Sequence, residues 1–417
     1  MIYWAPVFHF YQPPTQLPEV VDRICDECYR PLTRLFDENP DARATFNIVG
    51  SLTEQLLSRR ADDILTGWRR LAERGQIELT GTAMYHAILP LIPADEMRRQ
   101  ITLNQRMNRR VFGELFRPAG FFPPELCFSA DVTVPVVETG HRWLLISGVA
   151  CPGDWPLDYV PTISTEVGDL AVFFRDDLLS NRIAFGDLDI PGFLAFLRNL
   201  RGQRARVYVV TAMDAETFGH HLRGWEQKFL EGVFRAITRA SPPETSDRDV
   251  HNGPEIASVT VSQLLDIFPR QPHAMPSASS WSTSGEELAA GVPYPLWRHP
   301  DNPLHQLQWR LADLALDLVR RAEAACDGDA SRQFARVARG QMDRALHSCQ
   351  FWWASRRPMW DPTMIHRGLA IQQEVLLNAA RAVMASSVPA ATRVECSYRF
   401  IAARELVARI LDVLALE

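Results

Sequence analysis

Four acidic residues sit where apolar, β-rich runs of the sequence give out: Glu78 in GQIELTGTAMYHAILPL, Glu125 in GFFPPELCFS, and Asp214 with Glu216 in VYVVTAMDAETFGHH. Paired carboxyl groups can cleave a glycosidic bond, one protonating the leaving oxygen while the other attacks or stabilises the anomeric carbon. Taken alone, any of the four could serve. Glu125 follows Pro123 and Pro124, whose restricted backbone is a way to hold a nucleophile in fixed orientation. Asp214 emerges directly from an apolar run, a setting that suits a raised pKa in a partly buried acid. Glu216 lies two residues further on. If the strand continues, it faces the same way as Asp214 and competes with it for ionisation; if the chain has turned, it caps the next helix or binds ligand.

Other polar side chains collect at the same kind of position. The first apolar run ends in HFYQPP and brings His9, Tyr11 and Gln12; the third adds His86, and the stretch after Asp214 adds His220 and His221. A metal-dependent deacetylase could use His9, His86, His220 and Asp214 as ligands, although no His-x-x-x-His pair supports that arrangement. Flat aromatic rings are the natural platforms for sugars. Trp281 in SSWSTS and Trp353 in HSCQFWWAS are the candidates for a cleft, whereas Trp309 and Trp352 are expected inside a helical region and Trp4 in a barrel core.

The elements that must position these residues follow from periodicity. Up to about residue 270, strand-like runs alternate with amphipathic helical stretches, the pattern of βα units around a parallel sheet or barrel. The predicted strands are 2–10, 44–49, 77–82, 120–122, 142–146, 171–174, 207–213 and 258–261, and one or two of these eight are allowed to be peripheral. In a (β/α) barrel the carboxyl ends of the strands share one face, where active sites form. Polar, Pro-containing breaks follow at 241–255 and 271–303, the second long enough to be a functional loop. Four segments of helical period fill 304–417 and predict a helical bundle packed against the barrel. The expected organisation is therefore a catalytic barrel at 1–270, an active-site loop at 271–303 and a helical domain at 304–417.

Composition narrows the partners. With 417 residues, 47% hydrophobic and 23% charged, the chain has the make-up of a globular protein, and its formal charge of −6 gives no reason to expect nucleic acid or an anionic membrane as partner. No apolar run reaches the roughly 18 to 20 residues of a membrane span, and the first residues lack the pattern of a secretory signal, so a cytoplasmic location is expected. Seven scattered cysteines fit reduced thiols, and the Cys25-x-x-Cys28 pair falls in a helical stretch with no second pair nearby.

The motifs also occur in a recognisable order. HFYQPP, GQIELTGT, GFFPPELCFS, DAETFGHH and HSCQFWWAS resemble the five motifs of glycoside hydrolase family 57, with Tyr11 replacing the second His of the first. That resemblance implies a retaining mechanism on α-linked glucans, with Glu125 as nucleophile and Asp214 as general acid/base. It implies an α/β fold, an incomplete (β/α)7 TIM-like barrel with a C-terminal helical domain, and no metal or organic cofactor. His9, Gln12, Tyr11, Glu78, His86, Glu216, His220, Trp281 and Trp353 are the expected substrate-binding residues, with Glu78 equally suited to bracing the site. The substrate expected is a malto-oligosaccharide, glycogen or starch, cleaved as by an α-amylase. Glucanosyl transfer, deacetylation and non-catalytic glucan binding are the alternatives.

Overall fold

The computed structural model describes residues 1–239, 255–272 and 274–416, so the polar break at 241–255 lies almost wholly outside the described residues. The chain divides into two compact units. The first comprises Met1–Gln12, Gln16–Met84 and Leu89–Trp281, and the second Pro13–Thr15, Tyr85–Ile88 and Ser282–Glu417.

Among the described residues the first unit has ten strands: β1 Ile2–Phe10, β2 Ala44–Ile48, β3 Ile77–Thr80, β4 Gly120–Phe121, β5 Trp143–Ser147, β6 Val160–Thr165, β7 Gly168–Arg175, β8 Val207–Asp214, β9 Ile256–Ser258 and β10 Arg270–Pro272. Seven of them make a parallel ring. β1 pairs with β2 and β8, β2 with β3, β4 with β5, β5 with β7, and β7 with β8. The ring closes where Gly81 N–H donates to Gly120 O (2.8 Å) and Phe122 N–H to Gly81 O (2.9 Å). Only glycine fits at this seam: a Cβ on Gly120 would stand 1.9 Å from the Trp143 ring, and one on Gly81 would stand 2.1 Å from His141 Nε2.

Alternation along each strand sorts side chains between two cores. On β1, Ile2, Trp4, Phe8 and Phe10 pack outward under the surrounding helices, while Ala5 and Val7 fill the barrel lumen. On β8, Val207, Val209 and Met213 face the helices, and Tyr208, Val210 and Ala212 face the lumen. The same alternation puts His9 and Asp214, at the ends of these strands, on the lumen side.

Seven predicted strands thus appear as ring members, six within a residue or two at each end and β7 starting three residues earlier than expected. The eighth, 258–261, is corrected: its strand is Ile256–Ser258, which among the described residues pairs only with the amino-terminal end of β1, and a helix begins at Val261. β6 and β10 were not expected. β6 folds back antiparallel on β7, and β10 adds to its other edge.

The second unit is helical, with four long helices at Pro303–Ala325, Asp329–Ala345, Pro362–Met384 and Ala390–Leu416. Asn302 and Asp361 cap the first and third, each accepting two backbone N–H groups ahead of a proline at the first helical position. Trp309 stacks on Phe351 at 4.1 Å and donates its indole N–H to Trp297 O (2.8 Å), placing it in this core as expected. Trp352 is half-buried rather than enclosed, and meets Trp353 edge to face at 4.7 Å.

Candidate active site

Strand register brings the expected residues of the first unit into one row. His9 is level with Asp214 on β8 and with Asn47 on β2, and Asn47 is level with Thr80 on β3. Side chains bind along the row: His9 Nδ1 donates to Asn47 Oδ1 (2.7 Å), and Asn47 Nδ2 donates to Thr80 Oγ1 (2.8 Å). A fixed acceptor on Nδ1 sets the tautomer and aim of the imidazole. Its ring is further held flat against Phe122 (centroids 4.8 Å, planes 7° apart), with Trp281 edge-on at 6.0 Å and Tyr11 at 5.9 Å. Burial depresses the His9 pKa, opposed by the charge of Asp214 and the bond to Asn47.

Glu125 reaches the site by an unusual backbone. It has φ 59° and ψ 18°, and Leu126 after it has φ 49°, so two successive non-glycine residues occupy the left-handed region. Such residues cost about 1–3 kcal/mol each and persist where their surroundings hold them. Here Leu126 is fully buried in the lumen core, its N–H bonds Pro123 O (2.9 Å), and Trp281 N–H bonds Glu125 O (3.1 Å). The segment from 279 to 281 runs alongside 125–128, exchanging two further bonds between Ser279 and Phe128 (2.8 and 3.1 Å). The first part of the long loop is therefore fastened to the turn that carries Glu125. Amid buried neighbours, the side chains of Glu125 and Asp214 are both partly exposed.

After Asp214 the chain turns at once into a 3₁₀ turn, Ala215–Thr217. Glu216 neither caps a helix nor faces solvent. It is 3% exposed and accepts from Gln12 Nε2 (3.1 Å) and from the Tyr29 hydroxyl. Burial, then the charge of Asp214, pushes its carboxyl up to about 8. Glu216 thus sits where the charge of Asp214 opposes its ionisation. His221 also responds to Asp214, its pKa lowered by burial and raised in part by that charge.

The remaining candidate residues have defined surroundings of their own. Glu78 is level with Thr45, two positions short of the row, and accepts from Thr45 Oγ1 (2.6 Å) and Ser262 N–H (3.0 Å). It ties β2 and β3 to the helix Val261–Ile267, and burial pushes its pKa up. His220 donates through Nδ1 to Glu27 (2.6 Å), which also pairs with Arg223 (2.6 Å). His86 was expected beside the strand ends but belongs to the second unit, where its Nδ1 shares a hydrogen bond with Ser348 Oγ (2.8 Å). Trp353 belongs there too, half-buried. Among the described residues, no three His, Cys, Asp or Glu side chains are grouped as metal ligands. Cys28 is buried with its thiol on Ala215 O (3.1 Å), and burial pushes the Cys25 thiol up to about 12, which disfavours the thiolate form. Asn47, Thr80, Tyr29, Phe122 and Arg175 were not singled out from sequence. The first two had a usable signal, a polar residue closing an apolar strand.

The sequence is similar to α-amylase from Pyrococcus horikoshii, 24% identical over 245 residues that are 54% of this chain and 36% of that protein. It is also similar to 4-α-glucanotransferase from Thermococcus litoralis, 23% identical over 68% of this chain and 41% of that protein. The match thus spans well under half the length of these curated relatives. The fold is shared with a branching enzyme from Thermococcus kodakaraensis (TM-score 0.70, 15% identity, covering 97% of this chain and 95% of that one). An α-amylase from Thermotoga maritima gives a TM-score of 0.65 at 17% identity, covering 95% and 96%. The sequence model of glycosyl hydrolase family 57 matches residues 7–262, more than half of the chain and the whole of the strand-end row. The chain belongs to glycosyl hydrolase family 57.

Proposed function

We propose that this protein is a retaining glycoside hydrolase acting on α-1,4-glucans, malto-oligosaccharides, glycogen or starch, with Glu125 as nucleophile and Asp214 as general acid/base. The observation that most supports this reading is the delivery of two partly exposed carboxylates to the strand-end side of one barrel, Asp214 level with His9 and Glu125 on a left-handed turn tied to Trp281, which meets His9 edge-on. In the first step Asp214 gives its proton to the glycosidic oxygen as a Glu125 oxygen attacks the anomeric carbon and the leaving sugar departs. In the second, Asp214 takes a proton from water, which attacks the same carbon and frees Glu125, so configuration is retained. His9, Tyr11, Gln12 and the Trp281 ring are the proposed sugar contacts in the first unit, with His86 and Trp353 the candidates in the second.

Glucanosyl transfer, in which a sugar hydroxyl replaces water, is the second reading. The glucanotransferase of Thermococcus litoralis favours it, matching a larger share of this chain than the Pyrococcus α-amylase. Incubation with maltoheptaose and with amylose distinguishes the two: shorter sugars alone mean hydrolysis, longer ones transfer, and new branch points a branching activity. Loss of an activity on chelation would move the assignment to a metal-dependent deacetylase. We place the protein in the cytoplasm, since none of the seven cysteines is joined in a disulfide, which suits a reducing compartment. Among the described residues, no helix is long and apolar enough to cross a membrane.

A further inference from the structure

The ring of parallel strands is thin between β7 and β8. Among the described residues these strands share a single register pair, Arg175 with Val210, and Asp176 N–H closes on Val210 O (2.8 Å). Beyond that point β8 runs on to Asp214 with no strand on that side. Buried main-chain groups there still need partners. Those of Ala212, two residues before Asp214, find them in side chains: its N–H donates to Ser180 Oγ (3.1 Å), and its carbonyl accepts from Arg175 Nε (2.7 Å).

Arg175 is the last residue of β7 and is 3% exposed. Its other arms are equally occupied. Nη1 donates to Asp177 Oδ1 (2.7 Å) and Nη2 to Asn181 Oδ1 (2.7 Å). Asp177 uses its second oxygen to accept from Ser147 Oγ (2.9 Å) at the end of β5 and from Val149 N–H (3.0 Å). The guanidinium, fixed in this way, lies over the Trp281 ring with Cζ 5.9 Å from the centroid. Trp281 in turn holds the carbonyl of Glu125.

We propose that Arg175 is the positioning residue for both candidate carboxylates. It replaces the absent β7 ladder beside Ala212 and so aims Asp214, and it clamps Trp281 and so steadies the turn of Glu125. A planar fork with five donors suits this task and a lysine does not: an ammonium on a flexible stem cannot fill three divergent acceptors and lie across an indole face at once. Small displacements of the reacting groups are costly in rate, whereas ground-state sugar contacts elsewhere are left in place.

This inference rests on the glycosidase reading for its kinetic test, so the test carries a second readout. Arg175→Lys is compared with wild type by thermal melting, by kcat and KM on maltoheptaose, and by near-UV circular dichroism with Trp281→Phe as the reference for the Trp281 signal. The expected result is a kcat reduced roughly tenfold or more with KM within about twofold, a melting temperature close to wild type, and loss of the Trp281 contribution. Asn181→Ala, which frees one arm of the guanidinium, should give the same pattern at smaller amplitude, and stands in if Arg175→Lys does not fold. Unchanged kcat or a loss confined to KM in a folded Arg175→Lys, or, where that variant does not fold, either result or a fall in kcat matched by unfolding in Asn181→Ala, overturns the proposal. If wild type shows no glycosidase activity, that reading fails by itself, and the dichroism decides the clamp: a Trp281 signal retained in Arg175→Lys overturns it.

Discussion

The main-chain N–H of Trp281 bonds the carbonyl of Glu125 at 3.1 Å, joining two residues 156 positions apart in sequence at a turn where Glu125 and Leu126 both have positive φ. The indole ring of the same residue meets Phe122 at 6.1 Å and His9 at 6.0 Å and lies beneath Arg175. Trp281 is therefore part of the framework of the site as well as a surface a sugar can rest on.

That double role makes Trp281→Ala costly in two ways. Stability should fall by about 1–3 kcal/mol as the ring contacts are lost. In addition, kcat should fall on short and long malto-oligosaccharides alike, because the Glu125 turn loosens. A defect seen only as weaker binding of long oligosaccharides, with melting unchanged, would reduce Trp281 to a sugar platform.

The two carboxylates should fail differently when altered. Glu125→Gln should abolish turnover even of an activated aryl α-maltoside, since no glycosyl-enzyme can form. Asp214→Asn should lose about 10²- to 10⁴-fold on maltoheptaose, keep glycosylation by the activated substrate, and regain turnover with azide. Steady-state and burst kinetics read these outcomes; the reverse pattern would mean that the roles are exchanged.

Glu216 gives the protein a defined pH dependence. Its folded-state pKa is raised above the unfolded value of about 4.5 toward 8, so the folded state binds the extra proton in that interval. Its contribution to stability is therefore fully present below about pH 4.5 and is lost as pH rises through the folded value near 8. Glu216→Gln should remove that slope, raising the melting temperature relative to wild type above pH 8 and changing it little at pH 4.5. Parallel curves for the two proteins across this range would refute the assignment.

Glu78 should behave as a brace. Glu78→Ala strands Thr45 Oγ1 and the N–H of Ser262 and should cost about 1–3 kcal/mol of stability while leaving KM unchanged. A rise in KM with normal melting would place Glu78 on the substrate after all.

Why some of this could be read from sequence and some could not has physical reasons. The seven ring strands are buried on both faces and so form apolar runs with little interruption, which periodicity detects. β6 escaped because VPTIST is short and its outer half is solvent-facing and polar. The misplaced eighth strand had a counter-signal: Thr260 and Gln263 make a capping box that starts a helix where the apolar residues Val259 and Val261 suggested a strand. His86 was grouped with the strand ends because it follows β3 closely, but the chain passes into the second unit at Tyr85, which no local pattern announces. Arg175 left no trace in sequence at all, since its importance comes from a gap between two strands that is visible only in three dimensions.

The central claim is that Glu125 carries the glycosyl group during turnover, with the two carboxyl groups about 5 to 5.5 Å apart as a retaining pair requires. It is tested most directly by trapping. The Asp214→Asn protein is treated with an activated α-maltosyl fluoride, digested, and the peptides weighed by mass spectrometry. The account predicts a maltosyl adduct on the peptide containing Glu125, mapped by fragmentation to that carboxylate. An adduct on Glu216 or Glu78, or no adduct alongside products of inverted configuration, would contradict it.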